Sequence, residues 1–509
     1  MTPWNGVPAI SLAYLVSSLK AAGHTVARVI DAYGEAMGQF ARIDGTELLV
    51  NGLTAAEIAA RIPQDVDIVG VSCMFSNEWI YAKQVVREIR RALPHVIIVG
   101  GGEHFTADSE YSLRACPEIH SLVLGEGEET FLNLIDAILE GRSLESVPGI
   151  AYLSDERFTK TIPRARVRDI DGIPLPSWDE MPLERYLDAG IGMGSVGTRS
   201  MPMIATRGCP FACTFCSSPT MWTQRWVARD PKEVVEEIKT WIARYGVTNV
   251  EFYDLTAIVR KDWIVKFAQL LIEQDLRITW ALPSGTRSEA LDAEVMHYLQ
   301  LSGCRSLTYA PEAGSPATLA RIKKKIKLPH MLASMRAGVK EGIYLKANMI
   351  VGLPGQTYWE VAQSYWLIAQ MAWVGADDVA VFPFVPYPGS ELFTQLIAQG
   401  KITRDPDEYE RFLAANVYNE VSGQLSWSEH ISHRLIKVLT VGGMAWFYGL
   451  QFLFRPWRAG RVLSRVVRQN PITMLERALH LFTRKLAAKP RSLGAALVDH
   501  VPEHVDPAA

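Results

Sequence analysis

Cysteine is scarce in this chain, with six among 509 residues, and the six show no regular spacing of the kind a disulfide framework would have. The N-terminus MTPWNGVPAI lacks both the basic start and the apolar core of a secretory signal. A reducing cytoplasm is therefore the expected compartment, where grouped thiols bind metal more often than they pair. Charge of one sign is lacking too: a formal net charge of −3 excludes a general nucleic-acid binder. No GxxxxGK[ST] occurs, so a triphosphate-binding loop has no support. The uncharged run Val438 to Phe454 is seventeen residues long. That is short of the roughly 20 a spanning helix needs.

The chain is 48% hydrophobic and 21% charged, enough for two or three cored domains. Over the first 140 or so residues, helical and strand patterns alternate. ISLAYLVSSLKAA reads as a helix closed by Gly23. It is followed by strand TVARVIDA, helix TAAEIAARI, strand DIVGVSC, helix EWIYAKQVVREIRRAL, strand VIIVGGG, strand SLVLGEG and helix ETFLNLIDAIL. Alternation of this kind predicts a doubly wound, Rossmann-like parallel sheet, with its ligand over the loops VSCMFSNEW, VGGGEHFTAD and LGEGEET. A Pro- and Gly-rich connector with a small β element follows from Gly149 to Gly197. From Met203 about six strand and helix units succeed one another, which predicts a full or partial (β/α)6 barrel with its site at the strand carboxyl ends.

Within Thr206 to Pro219, TRGCPFACTFCSSP, three cysteines fall inside eight residues. Three thiolates so spaced can wrap one cuboidal iron–sulfur cluster and leave its fourth iron open to a small chelating molecule. A structural zinc site would want a fourth Cys or His, and none lies between Met201 and Arg229.

The Cys-x3-Cys-x2-Cys of Cys209, Cys213 and Cys216, with Phe215 before the last cysteine, resembles the signature of the radical S-adenosylmethionine (SAM) superfamily. The resemblance implies a [4Fe-4S] cluster on the triad, SAM on the open iron, and reductive cleavage to a 5′-deoxyadenosyl radical that abstracts hydrogen from unactivated carbon. It also implies an external one-electron reductant such as flavodoxin or ferredoxin. YAPEAGSPATLARIKKK resembles the family's fourth strand, which makes Glu312 a SAM contact; MIVGLPGQT resembles the fifth, and VPYPGSEL the turn after the sixth. Asp254 and Arg287 sit at strand ends facing the same mouth, as cofactor contacts or as ordinary strand-end caps. Trp222, Trp226, Tyr253, Trp280 and Tyr309 line an apolar pocket or belong to the core, with Trp222 and Trp226 favoured for the rim.

The N-terminal elements ISLAYLVSSLKAAGH, VGGGEHFTAD and LGEGEETF are similar to those of cobalamin-binding radical SAM enzymes. That resemblance spans roughly residues 5 to 400. It implies a corrin over Ser72, Cys73 and Met74, and a nucleotide tail near Gly100, Gly101 and Gly102. The Asp-x-His-x-x-Gly motif that supplies cobalt with histidine in many cobalamin proteins does not occur. His104 is either a cofactor contact or a turn histidine. The family's first strand is also missing from the pattern.

The expected domains are 1–145 cobalamin-binding, 146–197 linker, 198–400 radical SAM barrel, 401–490 helical, and 491–509 a disordered tail. The implied activity is cobalamin-dependent C-methylation of a hydrophobic small molecule or lipid; the alternative is cyclisation or ring rearrangement, as in anaerobic tetrapyrrole cyclisation. A cobalamin or redox sensor with a degenerate barrel is disfavoured by the intact triad. Between Arg455 and Arg491 stand ten Lys or Arg and one acid. That basic amphipathic tail suits peripheral contact with the cytoplasmic face of an anionic membrane, or a helical cap with solvated arginines, and the two readings weigh equally.

Overall fold

A computed structural model describes residues 6–190, 192, 199–415, 426–468 and 472–487. The tail from 491 onward lies outside the described residues.

The N-terminal sheet is built on three parallel strands, β1 (Ile68–Ser72), β2 (Ile97–Gly101) and β3 (Ser121–Val123), paired in that order. Helices cover both faces, since the apolar stripes of the crossovers must be buried. Helix α2 (Trp79–Ala92) buries Trp79, Val85, Val86 and Ile89 against one face. Helix α3 (Gly127–Leu139) buries Leu134 and Ala137 on the other, with α1 (Ile10–Ala21) beside it.

Two expectations need correction. TVARVIDA contains no strand: residues 25–31 have no regular secondary structure, and Asp31 N-caps a short helix through the Gly34 N–H. Its β-branched pattern fits a strand, but a strand exists only where a neighbour supplies the ladder, and among the described residues none lies beside it. The connector, conversely, is more ordered than its composition implies. Its hairpin β4 (Ile150–Ser154) and β5 (Arg157–Lys160) joins the outer side of β3 in antiparallel fashion, so the N-terminal sheet continues to Lys160.

The second domain is a parallel six-stranded sheet in sequence order: β6 (Ser200–Met203), β7 (Asn249–Phe252), β8 (Thr279–Thr286), β9 (Cys304–Glu312), β10 (Tyr344–Val351) and β11 (Asp378–Pro383). Sequential parallel pairing demands a helix between each pair. The long ones are α4 (Pro231–Tyr245), α5 (Lys261–Glu273), α6 (Ala293–Leu301), α7 (Leu328–Lys340) and α8 (Tyr358–Val374). β6 and β11 do not pair, so the barrel is open. Along β10 burial alternates strictly: Leu345, Ala347, Met349 and Val351 are buried, while Lys346, Asn348 and Ile350 on the opposite side are only half-buried.

After β11 come α9 (Glu391–Ala398), α10 (Pro406–Ala415), α11 (His433–Phe454), α12 (Trp457–Val467) and α13 (Met474–Ala487). α10 crosses back to the N-terminal domain: Arg404 and Tyr409 bond the Asp108 carboxylate, and Lys83 pairs with Glu410. α11 packs on α8 and β11, filling the position of the helix that follows the sixth strand.

Candidate functional site at the domain junction

The cysteine loop begins where Thr206 and Arg207 pair antiparallel with Ala228 and Val227, closing the loop at its base. Asp254, at the end of β7, accepts hydrogen bonds from the N–H groups of Ala205 (3.2 Å) and Thr206. Burial raises its carboxyl to about 6 against those bonds. Asp254 thus holds the root of the loop, and both its oxygens are engaged there. Gly208 has φ +84°, and a Cβ there would meet the Arg225 carbonyl at 2.2 Å, so the turn into Cys209 admits only glycine.

All three loop cysteines are free and half-buried. The Thr256 hydroxyl donates to Cys209 Sγ (3.4 Å) and the Ser218 N–H to Cys216 Sγ (3.4 Å). Such bonds to sulfur tune a cluster's potential. Burial pushes the Cys216 thiol up to about 12 and raises that of Cys213, the latter opposed by Lys324.

Two cations press on the loop. The Arg287 guanidinium lies 3.5 Å from the Phe211 ring centroid and is steered by Glu289. Lys324 Nζ sits 5.9 Å from the Phe215 ring and bonds Glu312 at 2.9 Å, both ends of that ion pair being buried. Burial works against the ammonium, but Glu312 and Cys213 outweigh it and keep its pKa raised. Glu312 itself has φ +67°, a left-handed conformation for a non-glycine residue. Backbone strain of this kind costs about 1–3 kcal/mol and collects at functional sites.

The N-terminal domain meets this loop directly. Glu103, following the three glycines, accepts from the Ser217 hydroxyl one residue past Cys216. Glu126 and Glu128 of LGEGEE grip Arg207 at 3.3 and 2.6 Å, and Glu126 also holds Arg166, whose guanidinium stacks 5.0 Å over Trp222. Ser72 is exposed, Met74 half-buried and Phe75 exposed on the neighbouring loop. Cys73 turns inward, buried, with Sγ toward the Phe75 carbonyl (3.6 Å). His104 is buried with Nδ1 3.0 Å from Ser76 Oγ and Nε2 3.2 Å from Ser112 Oγ, its ring beside Trp79. Both ring nitrogens are engaged inside the domain. Gly101 is open above, whereas Gly102 (φ +113°) packs so closely that a Cβ would meet the Cys73 carbonyl at 2.5 Å.

Of the aromatic candidates, Trp280 and Tyr309 are core. Trp222 and Trp226 are half-buried near the loop, Trp226 Nε1 donating to the Thr256 carbonyl (2.9 Å). Tyr253 donates its hydroxyl to Glu251. Composition and spacing did not single out Arg207, Glu126, Glu128, Glu103, Lys324 or Asn348. The paired acids after a glycine turn were a readable signal; the others required knowledge of which strands meet.

Among the described residues, no three His, Cys, Asp or Glu side chains converge tightly enough for a single metal ion. Buried polar atoms without partners lie in the same region: Thr214 Oγ1, Ser218 Oγ and Ser288 Oγ, with Asn348 Oδ1 among the half-buried residues of β10. Most buried polar groups have a protein or water partner, so a group of open ones beside the loop is where a polar ligand would be received. The donor set, the flanking cations and these open polar atoms fit a cluster with a polar ligand beside it.

The sequence model of the radical SAM superfamily matches residues 203–367, and that of the B12 binding domain residues 5–135. An uncharacterised methyltransferase of Pyrococcus horikoshii is 30% identical over 77% of this chain and 79% of its own length. Cytidylyl-2-hydroxyethylphosphonate methyltransferase of Streptomyces wedmorensis is 25% identical over 78% and 79%. The anaerobic magnesium-protoporphyrin IX monomethyl ester cyclase of Rubrivivax gelatinosus is 28% identical over 76% and 66%. Among solved structures, the radical SAM methyltransferase TsrM from Kitasatospora setae superposes with a TM-score of 0.61 at 16% identity, over 90% of this chain and 97% of that one. The chain belongs to the cobalamin-binding radical SAM enzymes, whose cofactors are a [4Fe-4S] cluster, SAM and cobalamin.

Proposed function

We propose that this enzyme is a C-methyltransferase acting on an unactivated carbon of a hydrophobic small molecule or lipid. The observation that carries this reading is the joining of the two domains at the cysteine loop, with Glu103 on Ser217 and Glu126 and Glu128 on Arg207. When bound, the cofactors supply a carbon-radical generator and a methyl donor.

The chain's own residues divide the remaining work. Cys209, Cys213 and Cys216 hold the cluster; Thr256 and the Ser218 amide orient two of the sulfurs. Lys324 and Arg287 put positive charge beside the loop and favour the Cys213 thiolate against the effect of burial. Glu312, in a left-handed conformation at the end of β9 and paired with the buried Lys324, would offer its carboxylate to the SAM amino group. Asn348 and Ser288 offer hydrogen bonds for SAM or substrate. Asp254 acts through the loop rather than on ligand, as a positioning residue. Ser72, Met74 and Gly101 are the open surface for cobalamin, and Gly100, Gly102, Cys73 and His104 give that surface its shape from within. The half-buried Trp222 and Trp226 favour an apolar substrate at the rim. An external one-electron donor is required, and a reducing cytoplasm suits six free thiols.

The test is product analysis. Reconstituted enzyme, SAM carrying a deuterated methyl group and a reductant are incubated with lipid and pigment extracts from the source cells. The expected result is a product carrying the labelled methyl, absent for Cys213→Ala. A product that has lost hydrogens and gained a ring while no label is transferred would establish the cyclase alternative instead.

A further inference from the structure

Helix α8 is an outer barrel helix, yet the side it turns to solvent carries no charge. Thr357 and Glu360 start it with a capping box, and Gly375 (φ +102°) ends it. Its single charged residue, Glu360, is buried and paired with Arg321. The exposed positions are Tyr358, Trp359, Ala362, Trp366 and Trp373, and with the half-buried Ala369 the last four of them lie three and four apart along one stripe. The three tryptophans are 72, 67 and 65% exposed. The other barrel helices are ordinary by comparison: α4 exposes Lys232, Glu233 and Glu236, and α5 exposes Lys261, Asp262 and Glu273.

The uncharged surface does not stop at α8. Tyr365 donates to the Leu439 carbonyl and Trp446 Nε1 to the Tyr365 carbonyl, while Trp373 meets Phe454 edge-on at 5.0 Å. α11 therefore runs alongside α8, and its own outward stripe is Val438, Val441, Ala445, Gly449 and Leu453. Beyond it, α12 exposes Trp457, Leu463 and Val467. By length and composition α11 could cross a membrane, but its other face buries Ile436, Thr440, Gly443, Phe447, Tyr448 and Gln451 in the protein. Sealed on one side and apolar on the other, it can lie on a bilayer and cannot thread one.

Charge selects the occupant. From Arg434 to Arg468 there are seven basic residues and no acid. Arg434 and Lys437 are exposed at the start of α11, and Arg461 and Arg468 on α12. A second protein would be expected to answer these with acids, and a self-complementary dimer would have to set like charges against one another. An anionic lipid surface answers both features: indole rings settle at the headgroup level with their N–H groups wet, and arginines pair with phosphate.

We propose that the side of the barrel formed by α8, α11 and α12 docks peripherally on an anionic membrane, with the three-tryptophan stripe as its apolar anchor and the arginines and lysine as its charged rim. This is independent of the reaction proposed above. Because α8 begins at the carboxyl end of β10, the stripe runs from the barrel mouth toward its base, so docking sets the mouth's edge at the lipid surface.

The test uses full-length reconstituted enzyme with vesicles of equal parts phosphatidylglycerol and phosphatidylcholine, and with phosphatidylcholine alone, at about 0.1 M salt. Wild type should sediment with the mixed vesicles, and brominated lipid should quench its tryptophan fluorescence. Trp359→Gln, Trp366→Gln and Trp373→Gln together should weaken binding about tenfold or more and remove that quenching. Trp366→Gln alone, the smallest disturbance, should weaken it severalfold. Arg461→Gln with Arg468→Gln should abolish the preference for phosphatidylglycerol. Failure to bind either vesicle, or binding that the tryptophan changes leave intact, would overturn the proposal. So would a concentration-dependent dimer, seen by ultracentrifugation, that Trp366→Gln dissociates.

Discussion

Two residues show how far chemical type alone leads. His104, beside three glycines, looks available, but Ser76 and Ser112 occupy its nitrogens and burial lowers its pKa to about 4, with Asp108 opposing and Arg404 assisting. A histidine depressed below its unfolded value of 6.5 takes up its proton in the unfolded chain first. It contributes stability above about pH 6.5 and loses it progressively as pH falls toward 4, by on the order of 3 kcal/mol. Denaturant melts of wild type should show that acid-side slope, and His104→Asn should flatten it. Asn348 is the opposite case: an acceptor with no partner, on the half-buried side of β10. Removing a carbonyl oxygen that has no partner in the fold leaves folding within about 1 kcal/mol. Asn348→Ala should melt like wild type yet bind SAM or substrate at least tenfold more weakly by calorimetry; unchanged binding of both would make it a bystander.

Elements decide what their residues can do, as the glycine run shows. Sequence offered Gly100, Gly101 and Gly102 alike for a nucleotide tail. Their places at the end of β2 separate them: Gly102 is pinned by its φ of +113° and the Cys73 carbonyl, and Gly100 by Leu122 and Phe105, while a Cβ on Gly101 meets nothing nearer than Val123 at 3.9 Å. Gly102→Ala should therefore destabilise the domain by about 1–3 kcal/mol, cofactor or not. Gly101→Ala should leave apo-protein stability unchanged and weaken cobalamin retention, measured by absorbance after gel filtration. Equal retention by the Gly101 variant would move the tail elsewhere. Pairing also explains where strand and loop differ from the local pattern. Residues 25–32 have strand chemistry with no neighbouring ladder, and residues 150–160 have loop-like surroundings but the free side of β3 to pair with.

At the scale of the molecule, the segment after the barrel is a clasp. Asp108 is buried and receives Arg404 and the Tyr409 hydroxyl from the far end of the chain, with Lys83 and Glu410 close by. Removing the carboxylate leaves the buried Tyr409 hydroxyl without its acceptor, at about 1–3 kcal/mol, while the half-exposed Arg404 can turn to water. Asp108→Ala should split thermal unfolding into two transitions, with the N-terminal domain melting first; a single transition at the wild-type temperature would mean that the domains are held together elsewhere. The carboxyl-terminal helices are equally tied to the barrel. Arg455 bonds the carbonyls of Ala372 and Trp373, Arg458 those of Gly375 and Ala376, and the Met474 amide the Asp378 carboxylate. Truncation at Arg455 would injure the barrel itself, so surface substitutions are the sound probe of membrane contact.

The sequence by itself determined the chemistry: three cysteines at fixed spacing need only their own loop to hold a cluster, and the strand and helix alternation dictates parallel sheets because period and loop length are local properties. Local properties are legible in a string. What only the tertiary structure decided was which groups face each other. That Glu126 and Glu128 hold Arg207, that Lys324 neutralises Glu312, and that Asp254 serves the loop all depend on contacts between distant segments. The membrane question shows the same division. In the sequence, the seventeen uncharged residues after position 437 are a run too short to span a bilayer. The fold separates them into a face buried on the barrel and a face left bare, and places beside the bare face three tryptophans spaced seven apart, because burial distributes the faces of a helix only once its neighbours are in place.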